Sequence, residues 1–247
     1  MNVDAAKYQL QIITPQWHAP SKIKAITTTS EHGFSTGQYN SFNPANHVGD
    51  NNNHVKLNRE LLELHTGKSI DYIKQTHGNK CVRAIAAKTQ EADAVYSRVS
   101  GQICCVLTAD CLPILLTNKK AEFVAAIHAG WRGLATKIIS NSINKIAATD
   151  IIAWIGPAIC KHCYAVGPEL MQIFLQNNTG LKHHFNITRD KIFADLTAIA
   201  TFQLQQAGVR NITDAKICTY PKENRLFSAR RDGLKSGRIA SCIWIES

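Results

Sequence analysis

The chain has 247 residues, of which 45% are hydrophobic and 19% are charged, with 14 Gly and 7 Pro. This composition excludes a disordered, collagen-like or disulfide-knot protein, and the length allows one large domain or two small ones, each able to bury a core. The 28 Lys and Arg residues exceed the 18 Asp and Glu residues by 10 charges, which electrostatically favours phosphate-bearing, nucleic-acid or other acidic ligands.

Apolar runs in the chain fall short of the roughly 18 residues that a membrane helix needs. The best candidate, Ile103 to Leu116, contains Asp110 and Pro113. The first residues show no basic region followed by an apolar run, so we expect neither a membrane partner nor a secretory signal. We therefore expect a cytoplasmic location, where the eight cysteines are mostly buried thiols and one or two are ligands or nucleophiles.

Short apolar or β-branched runs predict the strands of the fold. They are Gln9–Thr14, Ile23–Thr29, Asp71–Gln75, Cys81–Ala87, Gly101–Leu107, Leu112–Thr117, Glu122–Ile127, Ile151–Ile155, Ile212–Cys218 and Ile239–Ile245. Apolar residues at helical spacing predict helices between the strands. They are Asn53–His65, Leu134–Ala147, Pro168–Gln176 and Lys191–Ala207, the last ended by Gly208. Without an internal repeat or a linker, one mixed α/β domain over residues 1–247 is predicted.

Two apolar runs flank the polar residues 118–120, which is typical of an antiparallel hairpin. If the turn is centred between Lys119 and Lys120, Cys111 lies directly opposite His128. Directly opposed side chains have Cβ atoms about 4.5–5.5 Å apart, close enough to share a metal ion or a proton. A slip of the turn by one residue would change this pairing.

A neighbouring Cys and His support two chemistries, zinc ligation or a thiolate nucleophile activated by a base. A third ligand would distinguish them, and the candidate is His77, which follows a predicted strand in Gln75-Thr-His-Gly-Asn79. Considered alone, His77 fits a surface turn and Cys111 fits a buried apolar thiol.

Several motifs in a fixed order cover most of the chain. They are Tyr39-Asn-Ser-Phe-Asn43, His47-Val-Gly-Asp50, Asn58-Arg59, Gln75-Thr-His-Gly78, Thr108-Ala-Asp-Cys-Leu-Pro113, His128-Ala-Gly-Trp-Arg-Gly133, Ile155-Gly-Pro-Ala158, Tyr164-Ala-Val-Gly167, Cys218-Thr-Tyr220 and Phe227-Ser-Ala-Arg-Arg-Asp232. With these motifs the chain resembles the laccase-domain family, whose members are described as polyphenol oxidases, peptidoglycan-editing factors and purine nucleoside phosphorylases. The resemblance implies a mixed α/β fold with layered α-β-β-α packing, and one zinc ion held by His77, Cys111 and His128.

Three protein ligands leave the fourth tetrahedral position of zinc open, which is typical of a catalytic site. Water there can ionise near neutral pH and attack C6 of adenine, which would deaminate adenosine. The resemblance also implies cleavage of the N-glycosidic bond of adenosine, inosine, guanosine and methylthioadenosine with phosphate. We therefore predict purine nucleosides and phosphate as partners and zinc as the cofactor, with copper as the alternative metal.

Phosphorolysis needs an anion site and a grip on the ribose. The candidate phosphate ligands are arginines, whose planar fork binds two oxygens at once. They are Arg59, Arg132, Arg230 and Arg231. A solvated basic pair is an equally good interpretation of the last two. Asn43 is predicted to contact ribose or base and His47 to donate a proton or orient water, although holding a loop by hydrogen bonds is the commoner use of such residues.

One stretch departs from the family pattern. Residues 29–35 match a segment that usually carries an arginine and a pair of glycines, and here Ser30 replaces the arginine and His32 the first glycine. If that arginine binds substrate or phosphate, this chain binds it differently or less well.

Another short motif, Cys160-Lys-His-Cys163, has metal-binding or redox spacing. A second Cys/His pair at finger spacing does not accompany it, so we interpret it as a loop with incidental thiols.

Three alternatives to a zinc-dependent phosphorylase stay open. A cysteine hydrolase would use Cys111 as nucleophile and His128 as base to edit amino acids on UDP-MurNAc peptidoglycan precursors. A copper-dependent polyphenol oxidase would need several His clusters besides a His₂Cys site. A basic module that binds RNA would carry a nucleic-acid motif, which we do not find, so we expect no nucleic-acid partner. The sequence does not predict the oligomeric state.

Overall fold

A computed structural model of the chain describes residues 9–85 and 89–246. Its strands are β1 (Ile12–Ile13), β2 (Ile23–Thr28), β3 (Cys81–Arg83), β4 (Ala94–Ser97), β5 (Cys104–Thr108), β6 (Leu112–Asn118), β7 (Val124–Ala129), β8 (Ile151–Ile155), β9 (Ala165–Val166), β10 (Phe185–Ile187), β11 (Ile192–Ala194), β12 (Asn211–Asp214) and β13 (Ile239–Ile245). Its α-helices are α1 (Asn52–Thr66), α2 (Trp131–Ala135), α3 (Ile138–Ile146), α4 (Pro168–Asn177), α5 (Leu196–Gln206) and α6 (Ala229–Asp232).

The strands form two large sheets and one small one. The four-stranded sheet has the order β1-β2-β13-β5 and is antiparallel throughout. The six-stranded sheet has the order β12-β8-β6-β7-β4-β3, in which β12 with β8 and β3 with β4 run parallel and the other neighbours antiparallel. The small sheet has the order β10-β11-β9.

Alternation of side chains along the strands gives each large sheet two apolar faces. Trp154 and Ile243 belong to the apolar cluster that fills the space between the two large sheets. Cys242, the neighbour of Ile243, points to the opposite face and clusters with Leu62 of α1. The outer face of the six-stranded sheet clusters with buried residues of α2, α3, α4 and α5, among them Ile138. The order of layers is therefore α-β-β-α, which confirms the predicted mixed α/β fold.

Long buried strands match their predictions best. β8 and β13 have the predicted bounds. The predicted strand Asp71–Gln75 is wrong: in this segment Lys74 makes an isolated bridge to Glu91. Cys81–Ala87 is a strand as far as Arg83, and its last two residues lie outside the described residues.

Two predicted helices differ from the structure. The predicted helix Leu134–Ala147 is divided between α2 and α3, because Lys137 adopts a left-handed conformation with φ 68°. The predicted helix Lys191–Ala207 begins only at Leu196, where Asp195 caps α5 by accepting a hydrogen bond of 2.9 Å from the backbone N–H of Ala198. Among the described residues, no helix combines the length and apolar character needed to cross a membrane.

The hairpin of β6 and β7 has a different register from the prediction. Pro113, not Cys111, lies opposite His128. The connecting loop is longer than a two-residue turn, since Asn118 accepts hydrogen bonds from the backbone N–H groups of Ala121 and Glu122 at 2.9 Å each. The pairing shifts by two residues, which keeps each side chain on its expected face of the sheet. Cys111 therefore still lies near His128, one position outside the strand.

Candidate metal centre and active site

Three side chains from separate parts of the chain meet where β6 begins and β7 ends. His128 lies on β7, Cys111 directly precedes β6, and His77 lies in a turn after the bridge of Lys74. Their ligand atoms all lie within 4.8 Å of one another, and the rings of His77 and His128 meet edge to face with centroids 4.7 Å apart. The structure thus brings together the three residues predicted as metal ligands.

The backbone is bent sharply at two of these positions. His77 has φ 60°, and Asp110, which precedes Cys111, has φ 83°. Residues other than glycine adopt such angles infrequently. Asp110 is held there by its neighbours, because its carboxylate accepts hydrogen bonds of 2.6 Å from the Thr219 hydroxyl and from the backbone N–H of Arg230.

Gly130 makes room for the cysteine sulfur. A Cβ atom at this position would lie 2.9 Å from Sγ of Cys111 and 3.7 Å from Cδ2 of His77. Sγ therefore occupies space that a larger residue at 130 would fill. Gly130 has an ordinary extended backbone conformation with φ −76°, so the contact with Sγ of Cys111, and not the start of α2, accounts for the glycine.

A fully buried carboxylate supports the cluster from behind. Asp93 bonds Nδ1 of His128 at 2.8 Å and accepts hydrogen bonds from the backbone N–H groups of His77 at 2.9 Å and Gly78 at 2.7 Å. Because Nδ1 of His128 is engaged, its Nε2 is the nitrogen free to bind a metal, as in carboxylate–histidine–zinc sites. Sequence reasoning missed Asp93, although a single acidic residue between Ala92 and Ala94 in a strand-like run is a signal for it.

Electrostatics favours a charged thiolate. Burial alone would raise the pKa of Cys111, but the charge of His128 and hydrogen bonds from His128 and His77 outweigh it and lower the pKa to about 6. Burial alone would lower the pKa of His128, but Cys111 and Asp93 outweigh it and raise that pKa to about 9. The thiolate is the form that binds metals and attacks electrophiles.

These residues fit a transition-metal ion such as zinc. The donors are two imidazoles and one thiolate, the types that zinc prefers. Three observations indicate that the site is arranged for an ion. The ligand atoms are close together, Asp93 orients His128, and Gly130 leaves room for the sulfur of Cys111.

Two further basic residues lie within electrostatic reach of this centre. His47 keeps part of its surface in contact with solvent, and its pKa is lowered by the burial of the rest and by the nearby cations Arg238 and Arg59. Arg238, which sequence reasoning missed, is half-buried and donates hydrogen bonds to the backbone carbonyls of residues 234, 236 and 237. Burial lowers the pKa of Arg238, whereas the charges of Cys111 and Asp110 raise it. In the sequence, Arg238 could have been found only by its position after Gly237, just before β13.

Asn43 is engaged by protein groups on all sides. The side chain is fully buried; its Nδ2 donates to Ala45 O and to Asp50 Oδ2, and its Oδ1 accepts from the backbone N–H groups of Ala45 and Arg238. These bonds use both amide hydrogens and both oxygen lone pairs. Asn43 therefore holds its loop against Arg238, which is the alternative interpretation of this motif.

The four arginines predicted to bind phosphate differ in how far they are engaged. Arg231 is committed to protein acceptors, namely Asp232 and the carbonyls of residues 219, 220 and 226. Arg59 donates to Pro44 O at 2.8 Å and covers the Tyr72 ring. The other two are exposed and stack on aromatic rings: Arg132 on Trp131, and Arg230 on Tyr164. Nη1 of Arg230 also donates to Ala165 O at 2.7 Å, while its other guanidinium nitrogens make no hydrogen bond among the described residues.

The comparisons with known proteins settle the family. The model of the family described as multi-copper polyphenol oxidoreductase laccase matches residues 24–246. The chain belongs to this family. It is 40% identical to a purine nucleoside phosphorylase of Haemophilus influenzae, over 96% of this chain and 100% of that protein. It is 32% identical to an adenosine deaminase named RL5 from an unknown prokaryotic organism, over 90% of this chain and 94% of that protein.

A solved structure agrees with the fold. A crystal structure of a Neisseria meningitidis protein superposes with a TM-score of 0.92 at 36% identity, covering 96% of this chain and 99% of that one. The resemblance predicted from the motifs is therefore confirmed at the level of family and fold.

The segment that departs from the family pattern has its own contacts here. The backbone N–H and the hydroxyl of Ser30 each donate to Arg225 O at 2.8 Å, and Nη1 of Arg225 pairs with Glu31 at 2.9 Å. His32 has φ 63°, a conformation that favours glycine. Residue 32 thus has a conformation that glycine adopts readily, and the exposed Arg225 lies beside Ser30, where the resemblance leads us to expect an arginine.

Proposed function

We propose that the chain, acting as one domain over residues 1–247 in the cytoplasm, is a zinc-dependent purine nucleoside phosphorylase. Its substrates would be adenosine, inosine, guanosine and S-methyl-5'-thioadenosine, with adenosine deamination as a side activity. The observation that carries the proposal is the group of His77, Cys111 and His128, backed by Asp93 and flanked by cations. The names of the two relatives support the same reaction classes.

His77, Cys111 and His128 would hold the zinc ion. When bound, zinc would supply a Lewis acid that lowers the pKa of water toward neutrality. Deamination of adenosine would replace the amino group at C6 by the oxygen of water and release ammonia. Asp93 engages Nδ1 of His128 and so leaves Nε2 free to hold the ion.

His47 is suited to a neutral role. Partial burial and nearby cations lower its pKa, which favours the uncharged ring. A neutral imidazole accepts one hydrogen bond and donates another, which suits it to orient water or a ribose hydroxyl. The charges of His77 and His128 also act on it, which supports a place for His47 beside these two proposed ligands.

Phosphorolysis needs cations that face a phosphate. An oxygen of phosphate would form a bond to C1' of the ribose while the bond from C1' to the purine nitrogen breaks, and the departing purine would take up a proton from phosphate or from solvent. Arg132 and Arg230 are the best candidates to bind this phosphate, because both guanidinium groups are exposed and held in place by aromatic rings. Arg59 is the weaker candidate, and Asn43 and Arg231 support the surrounding loops.

One further candidate function rests on a specific observation. The lowered pKa of Cys111, to about 6, is also what a cysteine nucleophile requires, with His128 as its base. A cysteine hydrolase that edits amino acids on UDP-MurNAc precursors would work without phosphate and without metal. The description of the family supports a third candidate, copper-dependent phenol oxidation.

The experiment is chromatography of adenosine and inosine incubated with purified protein, with and without phosphate. His77→Ala and Cys111→Ala are compared with two matched controls, His183→Ala and Cys81→Ala. Metal content is measured on the same samples. Phosphate-dependent release of adenine and hypoxanthine, lost in the two site variants together with one zinc per chain and kept in the controls, would support the proposal. Turnover that ignores phosphate and survives metal removal would replace it with the cysteine hydrolase.

A further inference from the structure

A second group of sulfur ligands lies outside the site described above. The Sγ atoms of Cys160, Cys163 and Cys218 all lie within 4.8 Å of one another. All three cysteines are free and partly buried. This cluster unites the Cys160-Lys-His-Cys163 motif with a third cysteine that sequence spacing alone does not connect to it.

The backbone builds this cluster from two segments. Residues 160–163 form a turn after β8, in which the N–H of Cys163 donates to Cys160 O at 3.0 Å. Cys218 follows β12 and is brought alongside by the parallel bridge between Ala158 and Cys218. The backbone N–H of Cys160 donates to Sγ of Cys218 at 3.2 Å, a charge-assisted hydrogen bond when that sulfur is a thiolate.

The geometry suits a zinc ion. Zinc binds thiolate sulfur at about 2.3 Å, so tetrahedral ligands lie roughly 3.8 Å apart, a spacing within the range that these sulfurs occupy. A Cys-x-x-Cys turn joined by a distant cysteine is a common way to supply three of the four ligands. The fourth position would face a cavity of about 530 Å³ that is lined by His162, among others.

We propose that Cys160, Cys163 and Cys218 form a second zinc site, independent of the centre at Cys111. Each thiol that binds the ion releases its proton to solvent, and no oxidant or reductant is consumed. The fourth ligand would be water or a side chain of the cavity.

The place of the cluster in the fold gives this ion a structural role. Its two segments both hold Asp110: the backbone N–H of Ile159 donates to Asp110 O at 3.0 Å, and the Thr219 hydroxyl donates to its carboxylate at 2.6 Å. Asp110 in turn precedes Cys111. An ion that joins Cys160 to Cys218 would therefore stiffen the support beneath the first metal centre.

The test removes the first centre and counts metal at the second. The double variant His77→Ala/Cys111→Ala is purified under reducing conditions, stripped with a chelator, loaded with Zn²⁺ alone and freed of excess metal by gel filtration. We expect about one zinc per chain to remain. Two triple variants are then made by adding either Cys218→Ser or Cys163→Ser to the double variant, and each should lose this zinc. The matched triple variant with Cys81→Ser should keep it. Circular dichroism verifies that each variant is folded.

Cobalt supplies a second readout. Co²⁺ in the double variant should give the near-ultraviolet charge-transfer absorption of thiolate ligands, and Cys218→Ser should abolish it. The proposal is overturned if the folded double variant retains no zinc, or if the retained zinc survives loss of Cys218 and Cys163. It is also overturned if mass spectrometry finds two of the three thiols joined as a disulfide in protein freshly isolated from the cytoplasm. None of these outcomes depends on the activity of the first centre.

Discussion

Oδ1 of Asp93 lies 2.8 Å from Nδ1 of His128 and also accepts the backbone N–H of His77 at 2.9 Å. One buried carboxylate thus orients two of the three residues proposed as metal ligands. The third ligand, Cys111, is held through Asp110, whose carboxylate is fixed by Thr219 and Arg230. Asp93 therefore supports the two histidines, and the contacts of Asp110 support the cysteine from a different part of the chain.

Asp93→Asn is expected to lower zinc affinity at the first centre by about 10- to 100-fold, the usual effect of losing a carboxylate behind a histidine ligand. The amide keeps the shape but loses the charge and directs an N–H₂ group toward donors. Competition with a chromophoric chelator measures the affinity. The matched control is Glu91→Gln, two residues earlier, where an exposed carboxylate pairs with Lys74 at 2.7 Å. Equal zinc affinity in Asp93→Asn and wild type would contradict the assigned role.

Gly130→Ala is expected to destabilise the fold by about 1–3 kcal/mol, because the new methyl group would crowd the sulfur of Cys111. Urea unfolding of the metal-free protein measures this cost. In a Cys111→Ala background the crowded sulfur is gone, so the same substitution should cost much less. A cost that is unchanged in that background would show that the backbone, not the sulfur, requires the glycine.

Thr219→Val is expected to cost about 1.5–3 kcal/mol, the range for a hydrogen bond to a charged group. Thr219 is fully buried and its hydroxyl donates to Asp110 at 2.6 Å. Thermal and urea unfolding measure the change. Thr213→Val on β12, where a β-branched residue is retained on a strand, should be close to neutral. A neutral result at Thr219 would mean that Asp110 does not depend on this bond.

The sequence predicts contacts between residues that are close along the chain better than contacts between residues that are far apart. The predicted hairpin correctly places Cys111 near His128, although its predicted register is wrong. The observed register is shifted by two residues, and such a shift leaves every side chain on the same face of the sheet. Asp93 is 35 residues from His128, and Cys218 is 58 residues from Cys160. Such pairings follow from how β4 pairs with β7 and β12 pairs with β8 in the six-stranded sheet, and no local pattern encodes them.

Arg230→Ala is expected to raise KM for phosphate in phosphorolysis while leaving adenosine deamination nearly unchanged, because deamination uses no phosphate. The side chain is exposed on the Tyr164 ring, so its removal leaves little buried volume empty. Arg189→Ala, an exposed arginine between β10 and β11, is the control. If both reactions fall equally, Arg230 supports the site as a whole instead of binding phosphate.

Removal and replacement of the metal distinguishes the three enzyme classes. Chelator-treated protein is expected to lose phosphorolysis and deamination together, and to regain both with one equivalent of zinc at the first centre. Copper in the same His/Cys/His site would give at most weak phenol oxidation, since the described residues include just one group of this composition and efficient copper oxidation needs several. The second cluster complicates the stoichiometry, so the titration is repeated in Cys218→Ser, where recovery should be complete at one zinc per chain. Recovery with copper but not zinc would assign the protein to the oxidase class that its family description names.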